Sequence, residues 1–179
     1  KLSEADLDHI IWRLLRQGSN YKNEAAALCL KSNPAPGHLW DIIEYTDLKD
    51  QAAERLVQTA DLTVYELENL VVKSTIEPVV KALSKRIKFD RSKVNEKKLI
   101  REIAEKIIAN PELLDVNHWH NGEKHSVGGW AISLNEAGKK VEKEYSSEIA
   151  ACLLVPNYRH LFFADKQTVL DGLKEIISG

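Results

Sequence analysis

Ala25–Gln51 reads AAALCLKSNPAPGHLWDIIEYTDLKDQ, and Ala52–Pro78 reads AAERLVQTADLTVYELENLVVKSTIEP. Both stretches contain an alanine pair with an apolar residue three positions after it, Cys29 following Ala25-Ala26 and Leu56 following Ala52-Ala53. Val79, Val80 and Leu83 carry the same pattern 27 positions further on. A second signature alternates with the first. It is Leu7, Ile10 and Ile11, then Leu39, Ile42 and Ile43, then in relaxed form Leu67, Leu70 and Val71. Its offsets are 32 and 28, and the longer one absorbs the polar insert Gln17-Gly18-Ser19-Asn20. Spacings of three and four put these residues on one helical face. Each unit therefore predicts a short helix, a turn and a second short helix, with turns at Ser32-Asn33-Pro34 and Thr59-Ala60-Asp61. Alanine pairs in such helices leave room for a neighbouring helix to approach closely.

The helical period continues outward. Leu14 and Leu15 extend the first stripe; Leu99, Ile103, Ile107 and Ile108 form another, and Leu170, Leu173, Ile176 and Ile177 a last one. Start and stop signals agree with these stripes. Ser3 precedes an acidic first turn, Asn95 precedes Glu96, Asn110-Pro111 ends a helix, and Asp165 stands where it would cap the final one. No stretch alternates convincingly with period two. The expectation is an all-α protein of about eight to ten helices. The polar run Phe89–Lys93 separates two stripes, which predicts a helical hairpin-repeat domain over 1–90 and a compact α domain over 94–179.

Composition narrows the classes further. The 179 residues are 44% apolar and 29% charged with a net charge of −2, ordinary values for a globular chain. They exclude disorder and a disulfide scaffold, and give no global pull toward nucleic acid or membrane. No apolar run approaches the ~20 residues of a membrane span; the longest is Ile149–Val155. Cys29 and Cys152 lie far apart in apolar stretches, which predicts buried thiols and a reducing, cytoplasmic compartment. No basic-then-apolar leader is visible. With no Met in the sequence and Lys1 at its start, the chain reads as trimmed or cut from something longer.

The stripes of residues 3–88 resemble α-solenoid repeats of the HEAT and leucine-rich-variant kind, at their apolar positions. In such an array each unit buries its face only against its neighbours and leaves an extended surface for a partner. The resemblance implies binding, not catalysis.

Residues 81–106 carry ten basic and four acidic side chains, a local charge of +6. Such asymmetry marks some phosphate-binding faces. The segment has one aromatic residue, Phe89, so base stacking has little support, and Glu102 can pair with Lys106. A solvated helix face is the preferred reading.

Asp115–Trp130 is the densest chemistry in the chain, holding three of its six histidines and two of its four tryptophans. His118, His120 and His125 could supply three nitrogens to a metal, with Asp115 or Glu123 as a fourth ligand. Three histidines with one open position is the pattern of a catalytic zinc. The spacing is neither that of a zinc finger nor a His-Glu-x-x-His helix. The preferred reading assigns no metal, cofactor or catalytic residue, and gives Asp115, Trp119, His120, His125, Gly129 and Trp130 a loop-structuring role. Gly128-Gly129 would let backbone pass close to a neighbour or take a positive φ. Trp130, Leu134, Ala137, Val141 and Tyr145 fall on one predicted core stripe, while Glu142 and Glu144 read as a solvated face.

The stretch NPELLDVNHWHNGEKHSVGGWAISLNEAGKKVEKEY, residues 110–145, resembles a domain without assigned function found in bacterial, notably cyanobacterial, and phage proteins. The tail EIAACLLVPNYRHLFF, followed by an Asp-led helix, fits the same resemblance, which covers about residues 100–178. Many members carry Cys where this chain has Gly122 and Ser126, so a Cys/His site in relatives would have lost its sulfur ligands here. The leading expectation is a non-enzymatic interaction or adaptor protein with a protein partner. The alternatives are a metal-dependent hydrolase-like enzyme centred on His118, His120 and His125, and a nucleic-acid binder through residues 81–106.

Overall fold

The computed structural model describes residues 3–16, 20–74 and 76–179. Apart from Asn20, the polar insert of the repeat alignment lies outside these residues. The protein is all-α, and the chain divides into two compact units, Lys1–Ile87 and Lys88–Gly179.

Unit 1 holds α1 (Glu4–Ile10), α2 (Lys22–Lys31), α3 (Pro36–Tyr45), α4 (Lys49–Thr59), α5 (Val64–Lys73) and α6 (Ile76–Arg86). After α1 the chain widens over Ile11–Leu15, where the Arg16 amide reaches back five residues to the Ile11 carbonyl. Apart from half-buried Ile10, the signature positions are core. Ala26, Cys29, Ala52, Ala53 and Leu56 are fully buried, as are Ile42, Leu70 and Val80. α4 packs against both α3 and α6. His38 of α3 binds Asp8 of α1 at 2.7 Å, and Lys73 of α5 binds Glu44 of α3. On the other layer, Arg55 of α4 donates to the Leu30 carbonyl at the end of α2, and Arg86 of α6 donates to the Val57 carbonyl of α4 at 2.9 Å. These guanidinium groups satisfy carbonyls that a helix C-terminus leaves open.

Five successive helices of unit 1 also close on a hydroxyl near their C-terminal end. Ser32, Thr46, Thr59, Ser74 and Ser84 each donate to the carbonyl four residues back. Ser32 and Thr59 are 27 apart, and Thr46 and Ser74 are 28 apart, the same offsets as the apolar signatures. A hydroxyl so placed offers the last turn an extra donor and favours the exit from the helix.

Unit 2 holds α7 (Glu96–Ala109), a two-residue-stranded hairpin β1 (His120–Asn121) and β2 (Lys124–His125), α8 (Val127–Ser133), α9 (Glu136–Glu144), α10 (Ser147–Leu154) and α11 (Lys166–Ser178). Here the helices are secured at the other end. All five begin on a side-chain cap: Asn95, Ser126, Asn135, Ser146 and Asp165 each accept from a backbone amide in the first turn. α10 is the centre. Ile149 through Val155 are all fully buried, because α8 and α9 pack on this helix. α11 lies against α7 through Val169 and Leu173.

Two expectations need correction. The described residues contain eleven α-helices rather than eight to ten, in part because the predicted Trp130–Tyr145 stripe is not one helix. α8 ends at Ser133, and Asn135 restarts the chain by capping α9 through the Gly138 amide. The break turns Leu134 and Ala137 outward, leaving Leu134 37% exposed. The second correction is the small antiparallel hairpin, which no period-two pattern announces because each strand has only two residues.

Candidate functional site: the tryptophan–histidine hairpin

The Asn110-Pro111 turn delivers the chain to Asp115, whose carboxylate organises the loop. It accepts from the Asn117 amide at 2.8 Å, the His118 amide at 3.2 Å and the Asn121 side chain at 2.8 Å. His118 Nδ1 lies 3.0 Å from the second carboxylate oxygen. These donors, the Asn121 amide foremost and then the Asn117 backbone, hold the Asp115 carboxyl well below the usual carboxylate range. The backbone closes the loop as well. The Asp115 amide donates to the His125 carbonyl at 3.1 Å, and the Ser126 amide is shared between the His118 and Trp119 carbonyls. Gly122, at φ +63, makes the hairpin turn.

Trp119 and Trp130 then anchor the hairpin on either side. The Trp119 ring meets Phe162 and Phe163 edge-on, with centroids 5.7 and 4.7 Å away. Trp130 is buried, donates its indole N–H to the Leu113 carbonyl at 3.2 Å, and lies under the Lys106 ammonium at 4.8 Å. Ser126 is fully buried and caps α8 by accepting from the Gly129 amide at 3.1 Å. Gly129 has a specific steric reason. A Cβ there would sit 1.8 Å from the Trp119 carbonyl oxygen, so only glycine lets α8 start this close to the loop.

The histidines divide into two groups. His118 belongs to Asp115. His120 and His125 face each other with their Nδ1 atoms 2.9 Å apart. His120 Nε2 lies 2.8 Å from Glu142 Oε1, and the same carboxylate oxygen accepts from Ser147 at 2.6 Å. The chain His125–His120–Glu142–Ser147 ties the hairpin to α9 and to the start of α10. The His125 ring packs edge-on against Trp130 at 4.5 Å. Burial, together with the neighbouring His120, lowers its pKa, while Glu142 acts in the opposite direction.

The proposed three-histidine constellation is therefore not assembled. An Asx-type turn at Asp115 takes His118 away from the other two. Among the described residues no group of three His, Cys, Asp or Glu side chains is placed to hold a metal. Glu142 is the main residue missed by sequence reasoning, which placed it on a solvated face. The signal was faint: Glu142 adjoins the buried Val141 and follows Gly138 by one turn, at the edge of the buried stripe.

The other candidates resolve as follows. Cys29 and Cys152 are both fully buried, and burial raises both thiol pKa values. The basic segment 81–106 is split between α6 of unit 1 and α7 of unit 2. Its Arg86 is spent on α4 carbonyls. In unit 1 a cavity of about 660 Å³ is lined by Asp8, His9, Ile11, Arg16, Gly37, His38 and Asp41. Its charges answer one another: Arg16 grips Asp41 through two 2.9 Å bonds, and His38 binds Asp8. Among the described residues the buried Nδ1 of His38 has no hydrogen-bond partner.

No helix among the described residues is long and apolar enough to cross a membrane. No protein-family model, curated protein sequence or solved structure matches the chain.

Proposed function

We propose that the protein is a non-enzymatic interaction module of the bacterial cytoplasm, in which stacked helical hairpins of unit 1 hold a protein partner. The observation that carries this reading is the apolar surface unit 1 leaves in water. Tyr65 and Val72 on α5 are 72% and 53% exposed, and Tyr21 and Leu28 at α2 are 69% and 46% exposed. The members of each pair are seven residues apart, about two helical turns, so they lie on the same side of their helix, with polar residues one turn between them. Large exposed apolar groups in register are what a helical partner surface presents. The pairing of α1 with α3 and α3 with α5 on one side, and of α2 with α4 and α4 with α6 on the other, supports the repeat reading. The site in unit 2 supports a structural role, because its hydrogen bonds close the loop on itself around Asp115 and tie it to α9 through Glu142, and both thiols are buried.

Photo-crosslinking tests the proposal. A crosslinker at Tyr65 is expected to trap one discrete species in the native cell. Val72→Asp should abolish that product without moving Tm. A diffuse ladder of products, or one discrete product that survives Val72→Asp, would reject the surface.

A further inference from the structure

The two layers of unit 1 carry opposite charge. On one side α1, α3 and α5 hold seven acidic residues and one basic residue, a net −6. On the other side α2, α4 and α6 hold seven basic and four acidic residues, a net +3. Each layer also leaves an apolar pair in water: Tyr65 and Val72 on the acidic side, and Leu28 with Tyr21, just before α2, on the basic side. Most acids of the first layer are engaged within the unit. Asp8 binds His38, Asp41 binds Arg16, Glu44 binds Lys73, and Glu66 closes a capping box with Thr63. Glu68 is different. It stands one turn from both Tyr65 and Val72, and among the described residues its side chain makes no ion pair or hydrogen bond. On the basic side Lys31, three residues beyond Leu28, is exposed and likewise unpaired among the described residues.

We propose that these two faces meet between copies of the chain, the α5 face of one copy docking on the α2 face of the next. The contact rests on the partner surface proposed for unit 1 and makes that partner a second copy of the protein. Apolar pairs would cover one another while unlike charges surround them, which favours encounter and fixes register. Seating Leu28 against either Tyr65 or Val72 brings Lys31 to Glu68, because each charge lies one turn from its apolar neighbour. Glu24, the acid on α2, lies on the far side of Leu28 from Lys31 and so away from Glu68. Docking through like faces would instead set acid against acid on the α1–α3–α5 side. The contact is therefore heterologous, and copies add head to tail. A contact between two helices is small beside the ~1,200–2,000 Å² of a standard interface, so the association is weak and grows with concentration.

Sedimentation of the full chain is the test. The wild-type mass should rise with concentration and fall back when salt screens the charges. Leu28→Asp and Val72→Asp each spoil one face, and each variant alone should sediment as a monomer. An equimolar mixture of the two should form a one-to-one dimer and nothing longer, because each chain keeps one intact face of opposite kind. Unfolded variants could not complement each other, so the dimer also reports that both are folded. Glu68→Lys and Lys31→Glu should each weaken association about tenfold. Mixing these two variants should restore it, since the exchange again pairs unlike charges. A crosslinker at Tyr65 should join α5 of one copy to α2 of another.

A wild-type chain that stays monomeric at about 1 mM overturns the proposal. Association that survives Leu28→Asp overturns it too, because only a contact between like faces would be spared. If the chain is monomeric while the crosslinker traps a single different protein, the partner surface of unit 1 stands and self-docking alone fails. If the chain is monomeric and the crosslinker traps no discrete species, both fail.

Discussion

At the scale of single residues, Gly129 sets the tightest constraint in the hairpin. Its missing Cβ makes way for the Trp119 carbonyl, which itself accepts from the Ser126 amide. Gly129→Ala puts a Cβ 1.8 Å from the Trp119 carbonyl oxygen, and no side-chain rotation relieves it. The expected cost is about 3 kcal/mol, at the upper end of overpacking penalties. Thermal unfolding measures it, and an unchanged Tm would mean that the loop lies elsewhere. The two thiols give a second check. Both are buried and raised in pKa, and Cys152 Sγ also lies 3.7 Å from the Glu148 carboxylate. Reagent labelling in the native state should be slow for both and slower for Cys152; rapid labelling of either would contradict its burial. At this scale the sequence was informative about types and silent about partners. Trp119, His120 and His125 stood out by local density alone. Glu142 lies 22 positions from His120 and Lys106 lies 24 from Trp130, and no periodicity links residues so far apart. His118 looked equivalent to its neighbours. The turn at Asp115, three residues earlier, is what separates it from them.

Helices show why some of the fold could be read and some could not. Burial enforces the 3.6-residue period, so the apolar signatures of α3, α4 and α5 are visible in the sequence and lie in the core. Hydroxyl positions at helix ends carry the same offsets, yet serine and threonine are common enough that apolar matching passes over them. The α8–α9 break was hidden for a related reason. Trp130, Leu134 and Val141 keep a helical period across it, and only the cap at Asn135 reveals two elements. That cap is testable. Asn135→Ala removes the acceptor for the Gly138 amide, at 2.9 Å, and should cost about 1 kcal/mol, the usual price of a lost N-cap. The loss should be confined to unit 2. Amide exchange at Gly138 and Lys139 is expected to quicken before any global effect appears. Unchanged exchange there would mean that α9 does not depend on its cap.

For the whole molecule the decisive property is that each unit has its own core. Ala52, Ala53, Leu56 and Leu70 are buried within unit 1; Ile103, Ala131, Ile149 and Leu173 are buried within unit 2. Five helices of unit 1 end on a hydroxyl, with α1 and α5 also starting on capping boxes, while all five helices of unit 2 start on a capping side chain. Units of under a hundred residues with separate cores melt cooperatively as separate transitions. Calorimetry should therefore resolve two, and substitutions in one unit should move one transition. Ala53 is fully buried in α4, the helix that packs against both α3 and α6, so Ala53→Leu adds three carbons where there is no space. The penalty should be about 1–3 kcal/mol. For a domain of this size 1 kcal/mol moves Tm by roughly 4–8 °C. The unit 1 transition should fall accordingly while that of unit 2 stays fixed. Gly129→Ala should do the reverse. If one transition absorbs both substitutions equally, the two cores unfold together and the division of the chain at Lys88 carries no thermodynamic meaning.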